Sequence, residues 1–292
     1  MRKTERTLKM TDFSKYLIVT DLDGTFLDST GHTAPRNVEA VKRFQSGGGM
    51  FTIASGRVHF IIPPAIPNVS TLLNAPAALC NGSLLYDFRT DTSYMEDLMP
   101  EKDVNDLLHY FATYEPDAYL RASTREGMYY DELTTPFSES PLRFYDPATY
   151  TIEPDISKWP RKDWYKLVVC FPTAEKARDV RLALGEYFGD RFSLTTANAK
   201  TAEIYASGIS KATGIEKLRH LTPEMAERTI IACGDFLNDV EMLQAADIAV
   251  CPANASKEAK SVADFVLCDH NEGLIAAVVE ALENGQLNKK GA

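Results

Sequence analysis

The sequence predicts an α/β protein, a parallel sheet linked by crossover helices and interrupted by a smaller α+β insert. Three observations carry this reading. Short apolar, β-prone runs alternate with segments of helical period, the pattern of parallel strands joined through helices. The texture changes from about Leu85, and the alternation resumes after Lys211. The 292 residues, 45% hydrophobic and 25% charged, supply enough chain of ordinary globular composition for about two domains. We expect a tail over 1–15, a core built from 16–84 and 196–292, and an inserted unit over 85–195.

Taken in order, Tyr16 to Thr20 is an apolar run that reads as a buried strand. Pro35 to Gln45 predicts a helix, with Val38, Val41 and Phe44 near the helical period and Gly47-Gly48-Gly49 stopping it. Strands follow at Met50 to Ala54 and Ala77 to Cys80, the second ending at the turn signal Asn81-Gly82; with the first they are expected to form half of one sheet. In the insert, Val104, Leu107, Leu108 and Phe111 mark a helix, and Tyr114 to Pro160 is polar, aromatic and irregular. Tyr165 to Phe171 predicts a strand, Thr173 caps a helix bearing Ala177, Val180, Leu184 and Phe188, and Phe192 to Thr196 predicts another strand. A helix through Ile215 and Leu218 comes next, then strands at Thr229 to Cys233, Ile248 to Val250 and Phe265 to Leu267, and a final helix from Glu272 to Leu282. There is no internal repeat and no low-complexity segment.

Composition excludes several classes of function. Lys and Arg total 31 against 41 Asp and Glu, a formal net charge of −10, which disfavours a non-specific grip on nucleic acid or anionic lipid. No apolar run approaches the roughly 18–20 residues that cross a bilayer. The first fifteen residues carry Arg2, Lys3, Arg6, Lys9 and Lys15 without an apolar core of signal-peptide length, so they read as a frayed tail, with Met10 an alternative start. The five cysteines are widely spaced, with no Cys-x-x-Cys, and suggest neither a disulfide framework nor a zinc site. A reducing cytoplasm is the expected location.

Four segments carry chemistry. Asp21-Leu22-Asp23-Gly24-Thr25 follows the first strand and sets two carboxylates two residues apart, where an extended chain turns both the same way. Ser55-Gly56-Arg57 follows the second strand and offers a hydroxyl to a phosphoryl oxygen. Gly208-Ile209-Ser210-Lys211 leads into a helix, and a lysine in a first helical turn is disfavoured by the dipole unless it meets an anion. Gly234-Asp235-Phe236-Leu237-Asn238-Asp239 runs from a strand into two more acids. Each segment alone is also ordinary turn or helix-start chemistry. Their combination and order, at the strand ends where open parallel sheets bind ligands, point to one site.

This order and these residues resemble the haloacid dehalogenase superfamily of phosphatases, and within it the Cof-type subfamily, whose cap (type IIB) is inserted between the second and third motifs. The resemblance spans about Tyr16 to Leu282 and includes Asn81-Gly82 and Asn254-Ala255; relatives usually carry a glycine just before the last asparagine, where this chain has Cys251-Pro252-Ala253-Asn254. It implies a Rossmann-like core and a Mg²⁺-dependent phosphatase acting on a small phosphorylated metabolite, with sugar phosphates the favoured class. Asp21 would be the nucleophile that forms an aspartyl-phosphate, and Asp23 the acid and then base, a role suited to a carboxyl raised by acidic neighbours. Ser55 and Lys211 would hold phosphoryl oxygens. Gly24, Thr25, Gly56, Arg57, Asn81 and Asn254 are the expected substrate contacts. The metal would take Asp21, Asp235 and the backbone carbonyl of Asp23, with Asp239 supporting.

A phosphomutase of the same superfamily is a second reading, and a receiver-type phospho-aspartate switch a third; the Asp-x-Asp-Gly-Thr spacing and the long insert speak against the latter. Of the remaining signals, the five histidines lack ligand spacing and are expected at the surface or at helix ends. Cys233 reads as a small buried hydrophobe. Tyr119, Tyr129, Tyr130 and Tyr145 belong to the insert's core or its roof over the site, and Arg121 and Lys166 read first as surface charge and second as substrate contacts. Oligomeric state, monomer or dimer, is left open.

Overall fold

The computed structural model describes residues 11–132, 146–196 and 198–287; the expected tail up to Met10, and Tyr145, lie outside them. The chain opens with β1 (Tyr16–Thr20), α1 (Pro35–Ser46), β2 (Met50–Ile53), α2 (Val69–Leu72), β3 (Ala77–Leu79), β4 (Leu84–Asp87) and β5 (Thr92–Glu96). It continues through α3 (Glu101–Tyr114), β6 (Tyr119–Thr124), β7 (Met128–Tyr130), β8 (Tyr150–Ile152), β9 (Trp164–Cys170), α4 (Ala174–Phe188), β10 (Phe192–Thr195) and β11 (Thr201–Ala206). It returns through α5 (Lys211–Leu221), α6 (Pro223–Ala226), β12 (Thr229–Cys233), α7 (Val240–Ala245), β13 (Ile248–Cys251), α8 (Lys257–Val262), β14 (Phe265–Val266) and α9 (Leu274–Glu283).

Five strands form a parallel sheet in the order β14-β13-β12-β1-β2. Alternation along each strand decides which side chain meets which helix layer. Ile18, Phe51, Ile53, Ile231 and Val250 pack with Val41 and Phe44 of α1 and Leu274, Val278 and Val279 of α9. Their neighbours Leu17, Val19, Ile230, Ala232 and Ala249 pack on the other side with Ile215 and Leu218 of α5 and Met242 and Leu243 of α7. Both faces are therefore covered, which is why these strands read as unbroken apolar runs. Each of the Val, Leu, Ile, Phe and Met side chains among them contributes about 1.5–3 kcal/mol on burial. Because β1 is flanked by β2 on one side and β12 on the other, the chain departs in opposite directions from this pair, and a crevice opens at their carboxyl ends.

The insert's six-stranded sheet has the order β10-β11-β9-β6-β7-β8. One face, with Leu120, Leu167, Val169 and Ile204, packs on Leu107 and Phe111 of α3 and Val180 and Leu184 of α4. Cross-strand register places Arg121 opposite Val168, and Val168 opposite Glu203; Ser123 opposite Lys166, and Lys166 opposite Tyr205. These residues occupy the other face.

The structure corrects the sequence reading at several places. Tyr114 to Pro160 is not irregular throughout, because β6, β7 and β8 form in it; their mixed aromatic and polar composition reflects a sheet with one solvated face. The strand β11 is an addition to the sequence reading: it is buried on both faces, with Glu203 and Tyr205 on one and Ala202 and Ile204 on the other, so it lacks a clean alternation of apolar and solvated positions. The expected strand over Ala77 to Cys80 ends at Leu79, and β3 pairs antiparallel with β4, touching the parallel sheet through a single bridge between Ala54 and Ala78. Phe13, expected in the tail, is buried and its ring lies 5.0 Å from that of Phe44.

One close approach orients the helix that carries Lys211. Gly82 has φ +97, and a Cβ there would stand 2.4 Å from the Ser210 carbonyl oxygen and 2.9 Å from the Gly214 nitrogen, so α5 rests backbone-to-backbone on the 80–82 turn. Gly82→Ala is expected to cost about 2–3 kcal/mol through overpacking and backbone strain, lowering Tm by roughly 4–10 °C. Thermal denaturation followed by circular dichroism checks this; an unchanged Tm would mean that the helix can stand off the turn at no cost.

Candidate active site

Asp21 leaves the end of β1 and Asp235 the end of β12, which the parallel register of these neighbouring strands brings side by side. The third acid, Asp239, stands one turn beyond Asp235, and one carboxylate oxygen from each of the three lies within 4.8 Å of the others. Between them comes Lys211, the first residue of α5, 1% exposed. Its Nζ donates to Asp21 Oδ1 and to Asp239 Oδ1, each at 2.6 Å. The capping box of Ser210 and Thr213 starts the helix at this residue. The two carboxylates offset the unfavourable dipole at that position. Burial pulls the Lys211 ammonium down, but Asp21 and Asp239 outweigh it and hold the proton on.

Both oxygens of Asp239 are occupied, since Oδ2 accepts the backbone N–H groups of Asp235 and Phe236 at 2.9 and 3.0 Å. Asp239, expected among the metal residues, thus braces the loop that carries Asp235. Asp21 Oδ2, by contrast, accepts no hydrogen bond among the described residues, and Asp21 lines the cavity. Burial, then the charge of Asp239, pushes the Asp21 carboxyl well up, against the pull of Lys211. Burial likewise raises Asp235 to about 6, although Thr25 donates to its Oδ1 at 2.7 Å. Three carboxylates share one ammonium here. A cluster of hard oxygen donors with surplus negative charge suits a divalent cation of the Mg²⁺ type; Asp21 and Asp235 are the side chains that would hold it.

Asp23 points elsewhere. Its side chain is 61% exposed and takes a two-pronged bond from Arg57, Nε to Oδ2 at 3.0 Å and Nη2 to Oδ1 at 2.5 Å. The sequence led us to expect acids around Asp23; its direct partner is a guanidinium, so Arg57, expected on substrate, instead holds Asp23 at the cavity mouth. Gly24 (φ +77) is where the two acidic segments touch: a Cβ there would lie 2.5 Å from Asp235 Oδ2. Thr25 is buried and serves Asp235 rather than an open surface. Ser55 is buried, lines the cavity and accepts the Arg57 N–H at 3.2 Å, leaving its own proton for a ligand. Gly56 also lines the cavity.

Two expected substrate contacts are engaged in holding backbone and side chains together. Asn254 donates to the Gly24 carbonyl at 2.8 Å and accepts the His270 N–H at 3.0 Å. Asn81 is 2% exposed, sits on left-handed backbone (φ 51), and donates to Tyr205 Oη at 2.9 Å. Two of the histidines, His59 and His270, are half-buried and each begins a short helical turn, in keeping with the expected helix-end positions; His59 stacks on Tyr86 at 4.6 Å. Cys233 is buried as expected, and burial pushes its thiol far up. Tyr129 packs near Trp159 in the insert's core, whereas Tyr130 lines the cavity.

The cavity measures about 470 Å³. Its floor is Asp21, Ser55 and Asp235, Asp23 lies at its mouth, and the insert's sheet roofs it with Arg121, Ser123, Met128, Tyr130, Lys166 and Glu203. Lys166, read first as surface charge, is in fact 6% exposed, and Glu203 was not singled out at all. The available signal was a lone charge at alternating positions of apolar runs, Tyr165-Lys166-Leu167-Val168 and Ala202-Glu203-Ile204-Tyr205. Asn238 and Phe236 also reach the cavity from the segment after β12.

Known proteins are similar to this chain over most of its length. Residues 18–279 match the family model described as haloacid dehalogenase-like hydrolase. Pyridoxal phosphate phosphatase YbhA of Escherichia coli is 24% identical, over 90% of this chain and 97% of its own. The 5-amino-6-(5-phospho-D-ribitylamino)uracil phosphatase YwtE of Bacillus subtilis is also 24% identical, over 92% and 98%. In structure, SMU.1108c from Streptococcus mutans superimposes with a TM-score of 0.81 at 22% identity, covering 93% of this chain and all of that one, and so shares the fold.

The Lys211 bridge sets an expectation for stability. Lys211→Met strands two buried carboxylates and is expected to cost about 3–5 kcal/mol. Adding Asp21→Asn should recover part of this, with a coupling of at least about 1 kcal/mol in a double-mutant cycle. Urea denaturation in EDTA measures both; strict additivity would mean that the ammonium and the Asp21 carboxylate do not interact.

Proposed function

Since the chain belongs to the haloacid dehalogenase-like hydrolase family, we propose that it is a Mg²⁺-dependent phosphatase hydrolysing a small phosphorylated metabolite, a sugar phosphate by preference, through an aspartyl-phosphate on Asp21. The observation that carries this reading is the state of Asp21: one carboxylate oxygen is held by Lys211 at 2.6 Å, while the other takes no hydrogen bond among the described residues. The names of its relatives, phosphatases of pyridoxal phosphate and of a phosphoribitylaminouracil, support phosphate-ester hydrolysis on small molecules. A cavity of about 470 Å³ has the size of a small-molecule site.

In the first step Asp21 Oδ2 attacks phosphorus, an oxygen–phosphorus bond forms and the ester P–O bond breaks. Asp23 gives its proton to the departing alkoxide. In the second step Asp23 takes a proton from water, whose oxygen attacks phosphorus and releases inorganic phosphate, returning Asp21 as carboxylate. Both Asp23 oxygens accept from Arg57 in the structure, so Asp23 parts from the guanidinium and takes up a proton from solvent before it serves as the acid. Ser55 donates its hydroxyl proton to a phosphoryl oxygen, and Lys211 keeps Asp21 aligned for attack. Asp21 and Asp235 would hold Mg²⁺, which would supply charge neutralisation for the phosphoryl group.

Phosphate release from a panel of phosphorylated sugars and cofactors, in Mg²⁺ and in EDTA, tests the proposal. Turnover should require the metal. Asp21→Asn should lower kcat by at least about 10³-fold, and Asp23→Asn by about 10²–10⁴-fold. Full activity in Asp21→Asn would remove the nucleophile assignment. Independently of turnover, Mg²⁺ at a hundredfold excess over its Kd should stabilise the fold by about 2.7 kcal/mol, raising Tm by roughly 5–10 °C. Superimposable melting curves in Mg²⁺ and EDTA would sink the metal assignment.

A further inference from the structure

The cavity roof holds a charged pair that the phosphoryl chemistry at the floor does not use. Lys166 Nζ on β9 donates to Glu203 Oε2 on β11 at 3.1 Å, with the two side chains 8% and 3% exposed. The Tyr205 hydroxyl donates to the same oxygen, and Asn81 in turn donates to that hydroxyl at 2.9 Å. The direction of every bond in the chain from Asn81 to Tyr205 to Glu203 is thereby set, and a turn of the core holds the insert's pair in place. Burial pushes the Glu203 carboxyl up, yet Lys166 and Tyr205 hold it below the usual range, so it stays ionised. The pair reaches down beside the phosphoryl floor: a Cβ on Gly56, next to Ser55, would lie 3.7 Å from both Glu203 Oε2 and Lys166 Nζ.

Stability does not explain such a pair. Buried ions lose in desolvation about what they recover from each other, and apolar replacement is often neutral or better. The pair offers recognition instead. Lys166 has three N–H donors and, among the described residues, one hydrogen bond, to Glu203 Oε2, while Glu203 Oε1 accepts none, and both residues line the cavity. An acceptor and a donor stand side by side with their charges cancelling within the pair, and Arg121 stands on the same face of the sheet. A charged group set against the pair is attracted by one member and repelled by the other, and so gains little. A hydroxyl accepts from one and donates to the other at no net charge.

We propose that Lys166 and Glu203 are specificity-determining residues that read a hydroxyl on the leaving group close to the ester oxygen, selecting phosphate esters of polyols and sugars over those of plain alcohols. The assignment rests on the phosphatase reading above and deepens it.

The test compares kcat/KM for sorbitol 6-phosphate and hexyl phosphate, six-carbon esters with and without hydroxyls, on the full chain in Mg²⁺. The wild-type protein is expected to favour the polyol ester by at least about 10²-fold, because the hexyl chain displaces water from the remaining Lys166 donors and from Glu203 Oε1 and offers no hydrogen bond in return. In Glu203→Gln and Lys166→Met the ratio should fall below about tenfold, chiefly through the KM of the polyol ester. Circular dichroism confirms that each variant is folded; if one is not, Glu203→Asp or Lys166→Arg takes its place with the same readout. A wild-type ratio below about threefold overturns the proposal, as does a high ratio that survives in folded variants. If neither ester is hydrolysed, the phosphatase reading is decided by the wider panel above, and the pair is judged by binding: sorbitol 6-phosphate should raise the wild-type Tm more than hexyl phosphate does, and equal shifts overturn the assignment.

Discussion

Two buried carboxylates bridged by one buried ammonium, with a third, half-buried carboxylate beside them, are the constraint on which the rest of this molecule turns. Asp21, Asp235 and Asp239 stand within a few ångströms of each other at the end of a parallel sheet, and Lys211 neutralises only part of their charge. Such an arrangement is costly to assemble, since the desolvation of each ion has to be offset by its partners. The surrounding structure makes it affordable in small ways that all point inward. The Asp235 and Phe236 amides satisfy Asp239, Thr25 satisfies Asp235, and a capping box fixes where the helix bearing Lys211 begins.

The same constraint explains the glycines that matter. Gly24 lets the first acidic segment come within contact of Asp235, and Gly82 lets α5 lie on the 80–82 turn so that Lys211 arrives between its two acids. Neither contact is visible as hydrophobic packing, yet each sets the distance between charged atoms. In energetic terms the sheet and its two helix layers supply the stability, and these close approaches direct it toward one geometry.

The insert completes the site by its two-sidedness. One face of its sheet is an ordinary apolar layer against α3 and α4; the other carries Arg121, Ser123, Lys166, Glu203 and Tyr205 and closes the cavity from above. Cross-strand register alone decides this division, because shifting any one strand by a residue would exchange the two sets. The hydrogen bond from Asn81 to Tyr205 ties that face to the core turn, so the floor and the roof are held as one polar network.

The floor was legible in the sequence because its residues lie in short contiguous segments at the ends of apolar runs: Asp21 and Asp23 after β1, Ser55 after β2, Asp235 and Asp239 after β12, Lys211 at a capped helix start. A strand end in a parallel sheet has one place to go, so local pattern and global position coincide. What the segments did not reveal is which side chain serves which. Asp23 meets Arg57 rather than another acid, Asn254 holds Gly24, and Asn81 serves the roof, because these pairings join residues 34, 230 and 124 positions apart. The roof was hidden for a related reason. Lys166 and Glu203 lie on strands whose pairing, set by a fold-wide register and by burial on both faces, is not written in either strand alone, and a lone charge in an apolar run is as consistent with solvent as with a buried partner until the sheet is assembled.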